Sequence, residues 1–505
     1  MSSDDTVGVF VFRRDLRLVD NHGLSALMGR AKTIIPVFLM DKDQICKNKR
    51  NQHFFSNNAV QFMCESLVDL DNQLQERGGS RLRLFFGRPE ASLDALLKDL
   101  RASHAGANVF VGWNVDFSDY AVRRDKALEA VCVKHGAAFV TCDTDYTMRP
   151  MEENLSAAGA GFKQYGAFYK RASRQAPTKP MSGAVSVPTD VVFWPATQHR
   201  FKAEFGGVAA LGRFYKPNAQ LAQHGGRELA LARLDTAHLR SAFAEYNAKR
   251  DMLAYNTTNV SAALNFGCIS IREAYYAMHD ALGRDSTLLK QLYWRDFYLQ
   301  VVRYIPRATS FTHFMDARYD GIAWKTADDA KMAREWTALM EARTGFLLID
   351  AAMNEMKTTG FMHNRCRMLV AVFWTKYLLI SILHPVYGSQ VGFSKWLVDA
   401  VGPSQNKMNH HWTCDLDYPG KKFSAHGAPL SGRPMDVSNK MIAKWDRDCV
   451  YIKRWLPHLA LVPNKDLRKW DAATARAHGD VHPAPMFDAK ERYKEWIAAG
   501  VTSDT

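Results

Sequence analysis

The chain lacks any CxxC pair. Its eight cysteines (Cys46, Cys64, Cys132, Cys142, Cys268, Cys366, Cys414 and Cys449) are scattered, several of them within apolar runs. That pattern favours buried thiols in a reducing compartment and indicates neither disulfides nor a metal site. There is no GxGxxG and no Walker sequence, so a dinucleotide on the turn after a first strand is not indicated. No internal repeat or low-complexity tract occurs. The longest apolar run, Met368 to Leu383, is interrupted by Thr375, Lys376 and Ser381 and is too short to span a bilayer. The opening MSSDDTVGVFVF has no basic region ahead of an apolar one. A soluble intracellular protein is expected, nuclear or cytoplasmic, with no membrane partner.

What is present is length and positive charge. The 505 residues give a prior of two to four domains. The excess of 66 basic over 52 acidic residues, net +14, favours a polyanionic partner. Val7 to Phe12, Thr33 to Leu39, Arg81 to Phe86, Ala107 to Trp113 and Ala137 to Cys142 read as short apolar strands. Helical patterns lie between them, the clearest stepping through Val60, Met63, Leu67, Leu70 and Leu74. Such alternation predicts an α/β domain over 1–147, a doubly wound parallel sheet covered on both faces. FRRDLRL after the first strand is an anion site or, more ordinarily, a salt-bridged rim. A Pro- and Gly-punctuated stretch over 148–225 reads as a connector packed over the surface. From 226 to 505 the pattern is helical, so a larger all-α domain follows.

Three stretches of the helical part carry polar groups where packing alone would not put them. KTTGFMHNRCRMLVAVFWTKYLLISIL, from Lys357 to Leu383, reads as one long buried helix with Thr358 or Thr359 as N-cap and Gly360 near its start. Phe361, Asn364 and Met368 are then expected on one face, flanked by Arg367. A buried Arg is usually neutralised by an internal carboxylate; otherwise this face lines a pocket for a polar ligand. QLYWRDFY places Gln291, Trp294, Arg295 and Tyr298 on one helical face, where Trp294 is equally a core indole. In YNAKRDMLAYNTTNVSAALNFGCIS, the hydroxyls of Thr257, Thr258 and Ser261 fall at a helix start, as a phosphate seat or an ordinary cap.

TGFMHNRCRM and QLYWRDFY together resemble the flavin- and substrate-binding helices of the cryptochrome/photolyase family. VGVFVFRRDLRLVDN and IKRWLPHL resemble that family's opening strand and closing helix. The resemblance spans nearly the whole chain and is nearest in pattern to class I cyclobutane pyrimidine dimer photolyases. It implies FAD in the helical domain and a second, antenna chromophore of unfixed identity in the α/β domain. Tyr120 and Ala121 stand where folate-binding members carry Asn and Glu, so folate by that mode is not expected.

The resemblance implies an FAD clamp from Tyr246, Thr257, Thr258, Asn259, Val260 and Ser261, with Asn259 where bacterial members often carry Arg. It sets Gln291, Arg295, Phe361, Asn364 and Arg367 against the flavin, with Asp399 as the partner of Arg367 and Asn406 facing flavin N5. Trp294, Gln291, Asn364, Met368, Asn406 and Trp412 fall at catalytic positions. Gln291 stands where dimer photolyases usually carry Glu and where (6-4) enzymes and animal cryptochromes carry Gln. Asn364 and Met368 stand where (6-4) enzymes place histidines. DNA contacts fall on Arg250, Trp294 and Arg365, with Lys421, Lys422 and Arg433 from an unusual insert as further candidates. Trp324, Trp374 and Trp412 are candidates for electron transfer, since Ile382 and His410 replace two usual tryptophans; Tyr377 and Trp396 are alternatives. The function so implied is light-dependent splitting of cyclobutane pyrimidine dimers in damaged DNA, by electron transfer from excited reduced FAD to a flipped-out lesion, in a monomer. The alternative is a cryptochrome photoreceptor, with a (6-4) photolyase third.

Overall fold

The computed structural model describes residues 6–46, 55–162, 164–181, 190–197, 201–304, 324–325, 329–380 and 436–501. Five strands lie close to where the apolar runs predict them: β1 Thr6–Phe12, β2 Thr33–Asp41, β3 Arg83–Gly87, β4 Asn108–Asn114 and β5 Ala138–Cys142. All pair in parallel, in the order β3-β2-β1-β4-β5. A two-residue strand β6, Val192–Phe193, pairs with the start of β2.

Side chains alternate along each strand, and both faces of the inner strands β1, β2 and β4 are buried, whereas the edge strand β5 is largely exposed. From β1, Val7, Val9 and Val11 enter one core, with α3 (Pro89–Ser103) and α4 (Asp119–Lys134) over it. Phe10 and Phe12 enter the opposite core, under α1 (His22–Met28) and α2 (Asn57–Gly78). Val60, Met63, Leu67, Leu70 and Leu74 are all buried on α2, as their spacing requires. Ser56 caps that helix by accepting from the Ala59 N–H, and Gly79 closes it in the left-handed conformation.

The 148–225 stretch carries structure that its irregular pattern concealed. Besides β6 it contains α5, Tyr165–Ala172, whose Tyr165 and Phe168 pack on Phe297 of the helical part. Every element described after residue 226 is helical. Those that matter for the site are α6 (Ser261–Phe266), α7 (Ile271–Leu282), α8 (Lys290–Tyr304), α9 (Ala330–Glu341), α10 (Leu347–Thr359), α11 (Asn364–Val372) and α12 (Val450–Trp455).

The expected single helix from Lys357 to Leu383 is not formed. α10 stops at Thr359, Gly360 takes φ +70 as its C-cap, and α11 starts only at Asn364. Thr358 and Thr359 therefore end one helix and do not begin another. The N-cap of α11 is His363, and a π turn over Phe373–Tyr377 follows the helix. Phe361 lies in the break, so it cannot share a helical face with Asn364 and Met368.

FRRDLRL proves to be the seam between the two units. Arg17 grips Asp145 through one nitrogen at 2.8 and 2.9 Å, and Arg272 of α7 bonds Asp20 at 2.9 Å, all four side chains being buried. The Leu16 N–H donates to the Phe266 carbonyl, and Arg14 donates to both oxygens of Asn265. Gly267, at φ +71, approaches so closely that a Cβ there would lie 2.0 Å from the Arg14 carbonyl oxygen.

Candidate flavin-binding site

A cavity of about 280 Å³ opens among α6, α8, the α10–α11 break and the segment before α6. Tyr246, Arg250 and Thr257 through Ser261 line it from that segment; Gln291, Trp294 and Arg295 line it from α8; Phe361, Asn364, Arg365 and Arg367 line it from the break and α11. These fourteen were singled out in sequence from three stretches well separated along the chain. Leu264, Met278, Leu288, Leu292 and Tyr298 add apolar wall. The hydroxyl stretch does not make a long helix N-terminus: α6 has six residues and Val260 caps it without a side-chain bond. Asn259 is held at φ +49, an uncommon conformation for a non-glycine residue, and its side chain accepts from the Thr257 hydroxyl at 3.0 Å.

α8 supplies the most confined cation. Arg295 is buried and donates to the Tyr146 carbonyl and, at 3.5 Å, to that of Leu264. Burial pushes its guanidinium down to about 10, opposed by Asp296, whose own carboxyl burial raises to about 7. Arg295 Nε is buried without a hydrogen-bond partner among the described residues, a polar group awaiting an acceptor. One α8 position earlier, the Trp294 indole lies face to face with Tyr165, centroids 3.4 Å apart and planes 6° from parallel. One ring face is thereby covered. Gln291 is exposed and donates to the Thr287 carbonyl.

On the opposite wall, Arg367 donates to the Met362 carbonyl at 3.1 Å and lies 3.5 Å from Asn364 Oδ1. Burial lowers its guanidinium to about 10, with Glu355 the leading opposing charge. Arg365, expected to contact DNA, is paired with a carboxylate. Its Nε and Nη2 bond Asp251 at 2.8 and 2.7 Å, and its Nη1 lies 3.3 Å from Met368 Sδ. The Met368 thioether thus sits behind Asn364 and Arg365 and is not part of the cavity wall. Trp374 is also away from the cavity, buried edge-to-face on Trp336 with centroids 4.9 Å apart. Trp324 is half-buried against the same core. Tyr377 stacks on Phe373 and Phe487. Asp399, Asn406, Trp412, Lys421, Lys422 and Arg433, with Ile382, His410 and Trp396, lie outside the described residues. In the α/β domain Tyr120 donates its hydroxyl to Asp41, and Ala121 is buried.

Sequence reasoning missed His363. Its Nδ1 accepts from the Arg365 N–H at 3.2 Å, capping α11, so its other nitrogen carries the proton. Burial, then Arg367 and Arg365, push the imidazole down to about 4. Histidine is not among the usual N-cap residues, so no capping signal marked it. The donor set, with cations, hydroxyls and an orphaned Arg295 Nε set among apolar walls, suits a ligand that joins a phosphate-bearing stem to a flat ring.

Comparison with known proteins gives that ligand a class. Residues 288–500 match the model of the FAD-binding domain of DNA photolyase, and residues 9–185 match that of DNA photolyase. A deoxyribodipyrimidine photo-lyase from Synechococcus sp. is 30% identical over 97% of this chain and 95% of its own length. The chain belongs to the DNA photolyase and cryptochrome family. Cryptochrome-2 of Gallus gallus is 27% identical over 95% of this chain and 80% of its own. Among solved structures, the archaeal photolyase from Sulfolobus tokodaii, described with two FAD molecules, superposes with a TM-score of 0.77 at 28% identity. That match covers 98% of this chain and 99% of the other. The Synechocystis cryptochrome shares the fold at a TM-score of 0.79, 21% identity and 97% coverage of this chain. FAD is therefore the cofactor of the helical part, and the α/β-then-helical architecture is the family's. The Tyr246–Ser261 wall falls between the two matched ranges.

Proposed function

We propose that this protein is a light-dependent DNA-repair enzyme that splits cyclobutane pyrimidine dimers. The observation that carries the reading is the convergence of Trp294, Gln291, Asn364 and the two cations Arg295 and Arg367 on one cavity, from facing walls. Bound FAD supplies light absorption and a one-electron donor. Everything else falls to the chain. The hydroxyls and N–H groups from Thr257 to Ser261 seat the phosphate-bearing stem, and Arg295 and Arg367 keep negative charge on the ring desolvated but compensated. Trp294, stacked on Tyr165, supplies indole surface at the cavity for an unstacked base, stacking of that kind being worth roughly 1–3 kcal/mol per base. A dimer of adjacent bases is weakly stacked and paired in its duplex, so it leaves the helix more cheaply than intact bases. Asn364 and Met368, where (6-4) enzymes carry histidines, favour cyclobutane over (6-4) lesions. The excess of basic residues would hold phosphates around the flipped site.

Gln291 supports a second reading, a photoreceptor without repair. It offers only a neutral amide to the lesion, where a carboxyl group could also donate a proton. One experiment separates the two. An oligonucleotide holding a single thymine dimer is illuminated with blue light in the presence of the protein loaded with reduced FAD. Repair predicts restored thymines on the timescale of illumination; FAD bound with no restored thymine overturns dimer repair and favours the photoreceptor reading.

A further inference from the structure

Behind the cavity wall lies a carboxyl group that family resemblance did not single out. Glu355 on α10 is 8% exposed, and its Oε2 accepts from the Tyr451 hydroxyl at 2.6 Å and the His363 N–H at 3.3 Å. Both donors are neutral. Arg367, which lines the cavity, and Arg454 of α12 act on Glu355 only through space. A buried carboxylate served this way is only weakly held in its charged form. Burial raises it to about 7, against the pull of the Tyr451 and His363 bonds and of Arg367 and Arg454.

Its other neighbours stay fixed in charge around neutrality. Burial lifts the Cys366 thiol on α11 and the Tyr451 phenol on α12 well above their ordinary ranges, so both are neutral. His363 is neutral because burial holds it near 4. Asp446, just before α12, is raised by burial, but the Tyr451 and Ile452 N–H groups bond its carboxylate and oppose that rise. Among the described residues of this cluster, Glu355 is thus the group placed to change charge behind the Arg367 wall.

We propose that Glu355 is a positioning residue for the cavity's anionic ligand: by taking up a proton it removes a negative charge that acts on Arg367, and the site then grips FAD more tightly. The inference rests on the assignment of this cavity to FAD with Arg367 beside it. FAD keeps its own charge through the neutral range, so a pH dependence of its binding there reports on the protein. With Glu355 ionised, the wall's net positive charge drops and affinity falls; the slope is therefore negative as pH rises.

The test is the dissociation constant of FAD from the full-length protein in the dark, followed by flavin fluorescence between about pH 6 and about pH 8.5. Wild type is expected to weaken roughly three- to tenfold across the range, a typical size for coupling between two sites, with its midpoint near 7. Glu355→Gln keeps an oxygen acceptor for both donors but cannot ionise, so it should hold the tight, low-pH affinity throughout. Tyr451→Phe removes a bond that favours the carboxylate, so its midpoint should move to higher pH. A wild-type slope surviving in Glu355→Gln, or a flat wild type, would overturn the proposal. If Glu355→Gln does not fold, an unmoved midpoint in Tyr451→Phe overturns it equally. Failure of wild type to bind FAD at any pH would instead remove the assignment of the cavity.

Discussion

His363 shows how a single side chain ties local structure to the site. Its ring nitrogen serves α11 as a cap, and its backbone N–H is given to Glu355, so the neutral imidazole is part of the helix's foundation. In the unfolded chain a histidine takes its proton near pH 6.5, whereas here it resists until about 4. The unfolded state binds the proton first, so stability is lost as pH falls through that window and no further below it. His363→Asn should keep a capping oxygen without the titration. Comparing urea unfolding at pH 7 and pH 5, wild type should lose about 2 kcal/mol more than the variant. An equal loss in both would show that His363 is not the source; the Glu355 contribution is common to both and cancels. Arg365 supplies a second case. Its tie to half-exposed Asp251 is the kind of surface pair worth at most about 1 kcal/mol, so it can be traded for another anion. Asp251→Asn should free the guanidinium and tighten binding to an oligonucleotide, and Arg365→Ala should weaken it. Both are read as Kd at fixed salt, and the same sign for both variants would refute the exchange. Family resemblance names the cations and hydroxyls that line the cavity. Residue types did not reveal Asp251, His363 or Glu355, because a charge partner from another element leaves no trace in local spacing.

At the scale of elements, the apolar period of 3.6 runs on both sides of Gly360 with similar composition, and this conceals the break between α10 and α11. Only the glycine itself carried the signal, and its φ of +70 is the reason it is there. The break matters because it turns Phe361 into the cavity and sets the α11 N-terminus beside it. A Cβ at Gly360 would lie 3.0 Å from Asn58 Cβ and Nδ2, besides straining the backbone. Gly360→Ala is accordingly expected to cost about 1–2 kcal/mol and to weaken FAD binding, both measured against wild type by thermal unfolding with and without flavin. A helix that simply continued through 360 would instead be stabilised by that alanine. The strands, by contrast, were legible almost to the residue. A strand buried on both faces is a short continuous apolar run, and in this chain polar, charged or glycine residues bound most of them. The π turn after Val372 and the elements within 148–225 had no such punctuation and were not legible.

For the whole molecule the decisive interaction is the buried ion network at the seam. Arg272 donates to Asp20 and to the carbonyls of Thr144, Asp145 and Thr147, and is wholly buried, as are Asp20, Asp145 and Thr147. Such a set contributes little net stability compared with a well-packed apolar alternative, but removing one member leaves buried charge uncompensated. Its value here is geometric: Arg17 and Arg272 meet at Asp145, fixing α7 and the start of the helical part against the loop after β1. The core under α1 and α2 also runs without interruption into α6, α7 and α8, so the two units share apolar packing as well as charge. Alternating strands and helices made the α/β domain legible, while the seam was visible only as three arginines whose partners lie more than a hundred residues away. Arg272→Met takes from Asp20 its guanidinium partner and from three carbonyls their donor, and should cost about 3–5 kcal/mol. Because the seam joins the units, unfolding followed by tryptophan fluorescence and by release of FAD should shift to lower urea together. Separation of the two transitions, with FAD still bound after the first, would mean that the helical part stands without the sheet domain and that the network does not couple them.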